Sequence, residues 1–196
     1  VVPGRGAMTV GFAQRDARWA HECLGTSSLS LGEAGCLVSA LASLLVDWGI
    51  ETDPSRLNAW LRANGGFVGG NRVRFAALGG LGVQFVLLDD CYRHRAPVGR
   101  LRDALQHGQG AVGLIDTRPG QLSRAHWVRL AGFEGRECVV MDPWRAPGDE
   151  LAGLLAEYGA PGWDVGRAVF AYAVYQQEVG GYCDGRAEQG AVCVRR

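Results

Sequence analysis

The stretch Gly32–Gly49, GEAGCLVSALASLLVDWG, carries the clearest helical pattern in the chain. From Cys36 to Trp48 apolar residues recur at helical spacing, and Gly49 ends the run where a C-cap glycine belongs. Its start is unusual. In place of a Ser or Asp cap stand Gly35 and Cys36. A cysteine that only fills space can sit anywhere on the buried face, whereas this one occupies the first turn. There the positive end of the helix dipole and the unpaired N–H groups favour a thiolate. Gly35 leaves room for a substrate carbonyl to approach. The reading is a nucleophile, weighed against a small buried hydrophobe at a helix start.

A nucleophile of this kind requires a base, a group that orients the base and a donor for the oxyanion. The chain has four histidines. His21 lies close before the helix, and His94 sits between two arginines. His107 ends a helical run beside Gly108, a routine place for an imidazole. His126 alone begins an apolar strand, His-Trp-Val-Arg-Leu-Ala-Gly. The next strand ends in Val-Val-Met-Asp-Pro-Trp, and adjacent antiparallel strands bring Asp142 against the imidazole. Asp142-Pro143 also has the composition of a simple turn. Upstream, Phe12-Ala-Gln14-Arg-Asp16-Ala-Arg-Trp19 places a neutral amide ahead of the nucleophile, and Gln14 keeps its N–H at every working pH. Asp16 and Trp19 read as structural, as do Trp48 and Trp60. Trp127 and Trp144 flank His126 and Asp142, and either pack in the core or line a substrate cleft.

These residues occur in a set: Gln14-x-Asp16-x-x-Trp19, Leu24-Gly25, Ser30-Leu-Gly32, Gly35-Cys36, Leu57-Asn58-x-Trp60-Leu61-x-x-Asn64-Gly65-Gly66, His126-Trp-Val and Asp142-Pro143-Trp144. In this order the set resembles the bacteriocin-processing-peptidase-like branch of the papain-like cysteine peptidases. The resemblance implies an α+β papain-like fold with N-terminal helices packed on an antiparallel sheet. It implies Cys36 as nucleophile, His126 as general base and acid, Asp142 as orienting group and Gln14 in the oxyanion hole. Gly35, Trp127 and Trp144 become candidates for substrate contact. No metal or organic cofactor is expected. The expected partner is a peptide or peptidoglycan substrate, cut by a monomer of bacterial or phage type acting outside the cytoplasm or on the cell wall; the alternative is a protein- or leader-processing protease, or a catalytically silent peptide-binding or structural module on the same fold.

Composition agrees with an ordinary domain and narrows partners. The chain has 196 residues, 47% of them apolar and 20% charged, with a formal net charge of zero. Twenty arginines and no lysine point to coding bias rather than function. No global field favours nucleic acid or an anionic membrane, and no apolar run reaches the length of a membrane span. A second helix opens at Pro54, with Thr52 or Asp53 as its cap, and stops at Asn64-Gly65-Gly66. Val98 to His107 reads as a third helix. Strands are expected at Val83–Leu88, Gly110–Asp116, His126–Phe133, Glu137–Met141 and Ala168–Tyr175, with an edge strand at Met8–Phe12. The peptidase domain is therefore drawn over residues 1–175, and 176–196 reads as a polar, Gly-rich tail or small appendage in which Cys183 and Cys193 can close a hairpin.

Two further motifs read as bland. His21-x-Cys23 is poor zinc evidence, because the other candidate ligands are scattered. Gly79-Gly80-Leu-Gly82 precedes an apolar run instead of following a strand into a helix, so it is a turn and not a dinucleotide loop. Loops 64–82 and 116–125 are expected to shape specificity.

Overall fold

The unusual helix start is a junction between two helices. In the computed structural model, which describes residues 10–119 and 124–178, a four-residue helix α1 (Leu31–Ala34) runs directly into α2 (Cys36–Asp47). Ser30 caps α1: its hydroxyl accepts the Glu33 N–H, and the Glu33 carboxylate reaches back to the Ser30 N–H at 2.8 Å. Gly35 links the two helices. Its N–H donates to the Leu31 carbonyl at 2.8 Å, and its own carbonyl accepts the Ser39 N–H at 2.9 Å. A Cβ at Gly35 would lie 2.5 Å from the Leu31 carbonyl oxygen. The cap that Cys36 lacks is thus supplied one helix earlier, and the junction accepts only glycine.

Residues Val38 to Leu45 are all buried, so α2 is a central helix enclosed on every side rather than a surface helix with one apolar stripe. Beside it lies α3 (Pro54–Ala63). Of the two caps expected, Asp53 is the one used: its carboxylate accepts the Arg56 N–H at 2.8 Å. Asn58 on α3 is buried; its amide donates to the Cys23 carbonyl and accepts the Gly25 N–H, both at 2.9 Å. That pair of bonds pins the loop leading into α1. A two-stranded hairpin, β1 (Phe67–Val68) and β2 (Arg72–Val73), and a 3-10 turn (Phe75–Leu81) follow.

The second half builds a six-stranded antiparallel sheet in the order β3 (Val83–Asp90), β8 (Val169–Gln177), β4 (Gly110–Asp116), β5 (Ala125–Glu134), β6 (Glu137–Met141), β7 (Leu151–Gly153). Alternation along the strands gives the sheet two apolar faces. Val112, Met141, Ala173 and Tyr175 pack with α2 and α3. Ala111, Leu130, Val140 and Val174 pack with α4 (Val98–Gln106), α5 (Leu154–Tyr158) and α6 (Val165–Ala168). The class is α+β, with the N-terminal helices on an antiparallel sheet. Helices cover the second face as well, and α5 and α6 escape a sequence reading because they are too short to leave a periodic signal.

One buried cation sets how β5 lies against α2. Arg129 donates from Nη1 to the Ser43 carbonyl and hydroxyl, each at 3.2 Å, and its Nη2 pairs with Asp47 at the C-terminal end of α2. A cation there also meets the negative end of the helix dipole. Residues 10–12 carry no strand, and the rest of the proposed Met8–Phe12 strand lies outside the described residues. So do residues 179–196, with Cys183 and Cys193; β8 itself runs to Gln177. Among the described residues no helix is long and apolar enough to cross a membrane.

Candidate active site

Sheet register brings the base to its carboxylate. Arg129 pairs with Met141, so one step further along places Asp142 opposite Val128. Period-two alternation then puts Asp142 and His126 on the same face, as diagonal neighbours. The His126 Nε2 and Asp142 Oδ1 lie 2.6 Å apart, and both side chains are buried. With Nε2 engaged, Nδ1 is the nitrogen left over. Among the described residues it makes no hydrogen bond, and the Cys36 thiol is the nucleophile close enough to act on the ring's charge. Helix α2 delivers Cys36 from the other face of the sheet, the face that carries Arg129, to the place where β5 begins, and there the thiol influences the imidazole electrostatically.

Burial works against a charged imidazole. The hydrogen bond to Asp142 and the interaction with Cys36 override it and hold His126 up at about 9. Burial likewise works to raise the Asp142 carboxyl, but the hydrogen bonds from His126, Tyr158 and the Trp144 N–H keep it below the usual carboxylate range. The pair is therefore charged across neutral pH. Its linkage to stability has a definite sign. A raised His126 contributes fully below the ordinary imidazole value of 6.5 and is lost as pH climbs through about 9. Denaturation midpoints measured in urea should decline over that interval, and a His126→Asn chain should show a flatter profile. The alkaline limb of kcat/KM should fall near pH 9, where the imidazolium loses its proton. An activity profile still flat at pH 10 would refute the charged pair.

Gln14 is buried between the two halves of the site. Its backbone N–H donates to the Pro143 carbonyl at 2.8 Å, and its Nε2 donates to the Gly32 carbonyl at 2.9 Å. A primary amide has two N–H bonds, so one remains for an oxyanion after Gly32 takes the other. Trp144 donates its backbone N–H to Asp142 Oδ1 at 2.8 Å, and its ring stacks on the His126 ring with centroids 4.6 Å apart. Above it lies the Arg15 guanidinium, 5.5 Å from the Trp144 ring. Trp144 thus covers the imidazole, and it is not among the residues that line the cleft at Cys36. Gly35 is explained by its contact with Leu31. Asp16 and Trp19 are structural: Asp16 accepts from Arg18, and the Trp19 indole donates to the Ala13 carbonyl at 2.9 Å.

One residue of the site left no trace in the sequence pattern. Tyr158 donates its hydroxyl to Asp142 Oδ2, so the carboxylate holds three donors. Helix α5 presents this tyrosine. The Glu137 carboxylate accepts the Leu155 N–H at 2.7 Å and the Ala156 N–H at 3.1 Å, and Arg145 ties Glu157 to Asp149. A tyrosine at the end of a five-residue helix, with no motif around it, offers no signal that spacing could read. A hydrogen bond to a charged group contributes about 1.5–3 kcal/mol. Tyr158→Phe should lose roughly that amount in urea denaturation at pH 7. Because Asp142 is depressed, its stabilisation is present above the ordinary carboxylate range and lost as pH falls; in Tyr158→Phe that loss should begin at higher pH.

Cys36 is half-buried and lines a cleft of about 300 Å³ with Leu24, Val38, Val73, Phe75 and Trp127, and with Asn71 and Arg72 at its polar side. Trp127 packs on Phe75 with ring centroids 5.4 Å apart. Asn71, Arg72, Val73 and Phe75 of the loop expected to shape specificity line this cleft, whereas 120–123 lie outside the described residues. A larger hollow of about 750 Å³ lies between β3, β8 and α4. It contains no nucleophile beside a base: its His107 bonds through Nδ1 to the Asp103 carbonyl of its own helix. The candidate nucleophile therefore lies at the smaller cleft.

No protein-family model matches the chain, and no curated protein sequence matches it. Among solved structures it is similar to one described as "Crystal structure of an putative C39-like peptidase from Bacillus anthracis", at 18% identity and a TM-score of 0.49, over 84% of this chain and 94% of that one.

Proposed function

We propose that this protein is a papain-like cysteine peptidase that hydrolyses a peptide or amide bond. One observation carries the reading: a buried, charged His126–Asp142 pair whose spare nitrogen is left to Cys36 at the wall of a cleft. In the proposed cycle His126 already holds the Cys36 proton at rest, as a thiolate–imidazolium pair. The thiolate attacks the carbonyl carbon, and the oxyanion is held by the Gln14 Nε2–H and the Cys36 backbone N–H. His126 then protonates the leaving amine. Water, deprotonated by the same imidazole, releases the acyl group and restores the thiol.

The resemblance favours a peptidoglycan stem peptide or cross-bridge as substrate. The cleft favours a second reading: a wall of Leu24, Val38, Val73, Phe75 and Trp127 suits an apolar side chain, as a protein- or leader-processing protease would need. Mass spectrometry of purified peptidoglycan and of a mixed peptide library, each incubated with the protein and with Cys36→Ala, separates the two. New stem-peptide termini made only by the unmodified chain establish a wall hydrolase. Library cuts flanked by apolar residues establish a processing protease. No Cys36-dependent cut in either, under reducing conditions, leaves a peptide-binding module and refutes the enzyme.

A further inference from the structure

Far along the chain from Cys36, the end of β3 and the turn after it gather three side chains of metal-ligating chemistry. The carboxylate of Asp89, the thiol of Cys91 and the imidazole of His94 place one ligand atom each within 4.8 Å of the others. None of them belongs to the hydrolytic site. We propose that Asp89, Cys91 and His94 form a binding site for a borderline-soft divalent metal ion, zinc being the fitting class, with water completing the shell.

Local structure explains the gathering. Asp89 and Cys91 are two residues apart, so the extended chain points both to one side. The Cys91 N–H is anchored to the Phe170 carbonyl at 2.8 Å, and the His94 N–H turns back to the Cys91 carbonyl at 3.3 Å. That turn brings the His94 Nε2 to 3.5 Å from Asp89 Oδ1. Two hydrogen bonds from outside the trio then orient the ligands. Tyr172, the cross-strand partner of Asp89, donates its hydroxyl to Asp89 Oδ2 at 3.0 Å and leaves Oδ1 for the cluster. The His94 Nδ1 faces the Arg95 carbonyl at 3.1 Å, and only a protonated Nδ1 can donate there. This fixes Nε2 as the nitrogen free to coordinate. Metal-bound histidines and carboxylates are held by outer partners of this kind.

A surface ion pair between His94 and Asp89 would explain two members of the trio but not the thiol. Thiolate, imidazole and carboxylate together select zinc or cobalt over magnesium or calcium, which take oxygen alone. Ligand atoms around tetrahedral zinc are separated by about 3.3–3.8 Å, and His94 Nε2 and Asp89 Oδ1 already stand 3.5 Å apart, so at most roughly 1 Å of closure is left, between the thiol and the other two ligands. The neighbouring Arg95 does not oppose the ion, because its guanidinium is engaged by Asp164 at 2.6 Å. Bound there, the metal would cross-link the 91–94 turn to the β3–β8 pair.

The test uses the full chain carrying Cys36→Ala, so that the catalytic thiol does not compete. Titrated with cobalt(II) under anaerobic conditions, it should show a thiolate-to-cobalt charge-transfer band that saturates near one equivalent and is abolished by zinc. Its melting temperature should rise with added zinc. Adding Cys91→Ser should remove the band. Adding His94→Gln, a surface change that spares the core, should weaken affinity at least about ten-fold, and Tyr172→Phe about 10–100-fold. The proposal is overturned by the absence of a band in the folded chain. A band that survives Cys91→Ser, or an affinity untouched by His94→Gln, also overturns it, since the ion then sits on other thiols.

Discussion

Cys36→Ala should lower kcat/KM by about 10⁴-fold or more with the fold intact, because in the proposed cycle the thiol supplies the attacking atom and no neighbour can replace it. That factor corresponds to about 5 kcal/mol of lost transition-state stabilisation. Substitution is structurally mild: Cys36 is half-buried at the first turn of α2, and alanine keeps both the helix and the junction at Gly35. Melting temperature should therefore change little while activity disappears. A His126→Ala chain should lose a similar factor, and the double variant should be scarcely worse than either single one, since thiol and imidazole act as a unit. Steady-state kinetics on whichever peptide the library screen yields, with circular dichroism for folding, measures all three. If Cys36→Ala retains more than a tenth of the activity, the nucleophile lies elsewhere.

Asp142→Ala should be damaging in two ways at once. The carboxylate accepts from the His126 imidazole, the Trp144 N–H and the Tyr158 hydroxyl, and it is fully buried. Alanine strands all three donors, and removing one partner of a buried ion pair costs about 3–5 kcal/mol. The imidazole also loses the group that holds its tautomer and orientation, which in comparable triads costs about 10⁴-fold in rate. Asp142→Asn separates the two effects. Its amide oxygen can still accept from His126, and its amide nitrogen can donate to a rotated Tyr158 hydroxyl, so the hydrogen bonds are kept while the ion pair's share of stability is lost. Charge is lost, however, and charge is part of what holds His126 at about 9. The alkaline limb of kcat/KM should then move to lower pH in the asparagine variant. An unmoved limb would mean that the limb does not report His126.

Much of the architecture is written in short-range patterns. Helix α2 was legible from its 3.6-residue apolar recurrence, and β4 and β6 have the bounds expected, Gly110–Asp116 and Glu137–Met141. Periodicity is a local property, set by which faces of a segment are buried. Short elements escape it. Helix α1 is hidden by its own brevity, and its cap at Ser30 was the answer to the missing cap before Cys36. The 3-10 turn and α5 carry too few residues to repeat anything.

For the candidate site the division is similar. Residue type and order singled out Cys36, His126, Asp142 and Gln14 without coordinates, since nucleophile, base, orienting carboxylate and amide are each recognisable chemistry. Only tertiary structure decided how they meet. The His126–Asp142 contact depends on β5–β6 register, and the approach of Cys36 towards His126 depends on how Arg129 clamps β5 to α2. It also decided that Trp127 faces the cleft while Trp144 covers the imidazole, a distinction that residue type cannot make. Tyr158 and the Asp89–Cys91–His94 cluster emerged from the fold alone. A side chain's chemistry belongs to its own position, but its partners are chosen by chain closure across many residues, and no local pattern encodes that choice.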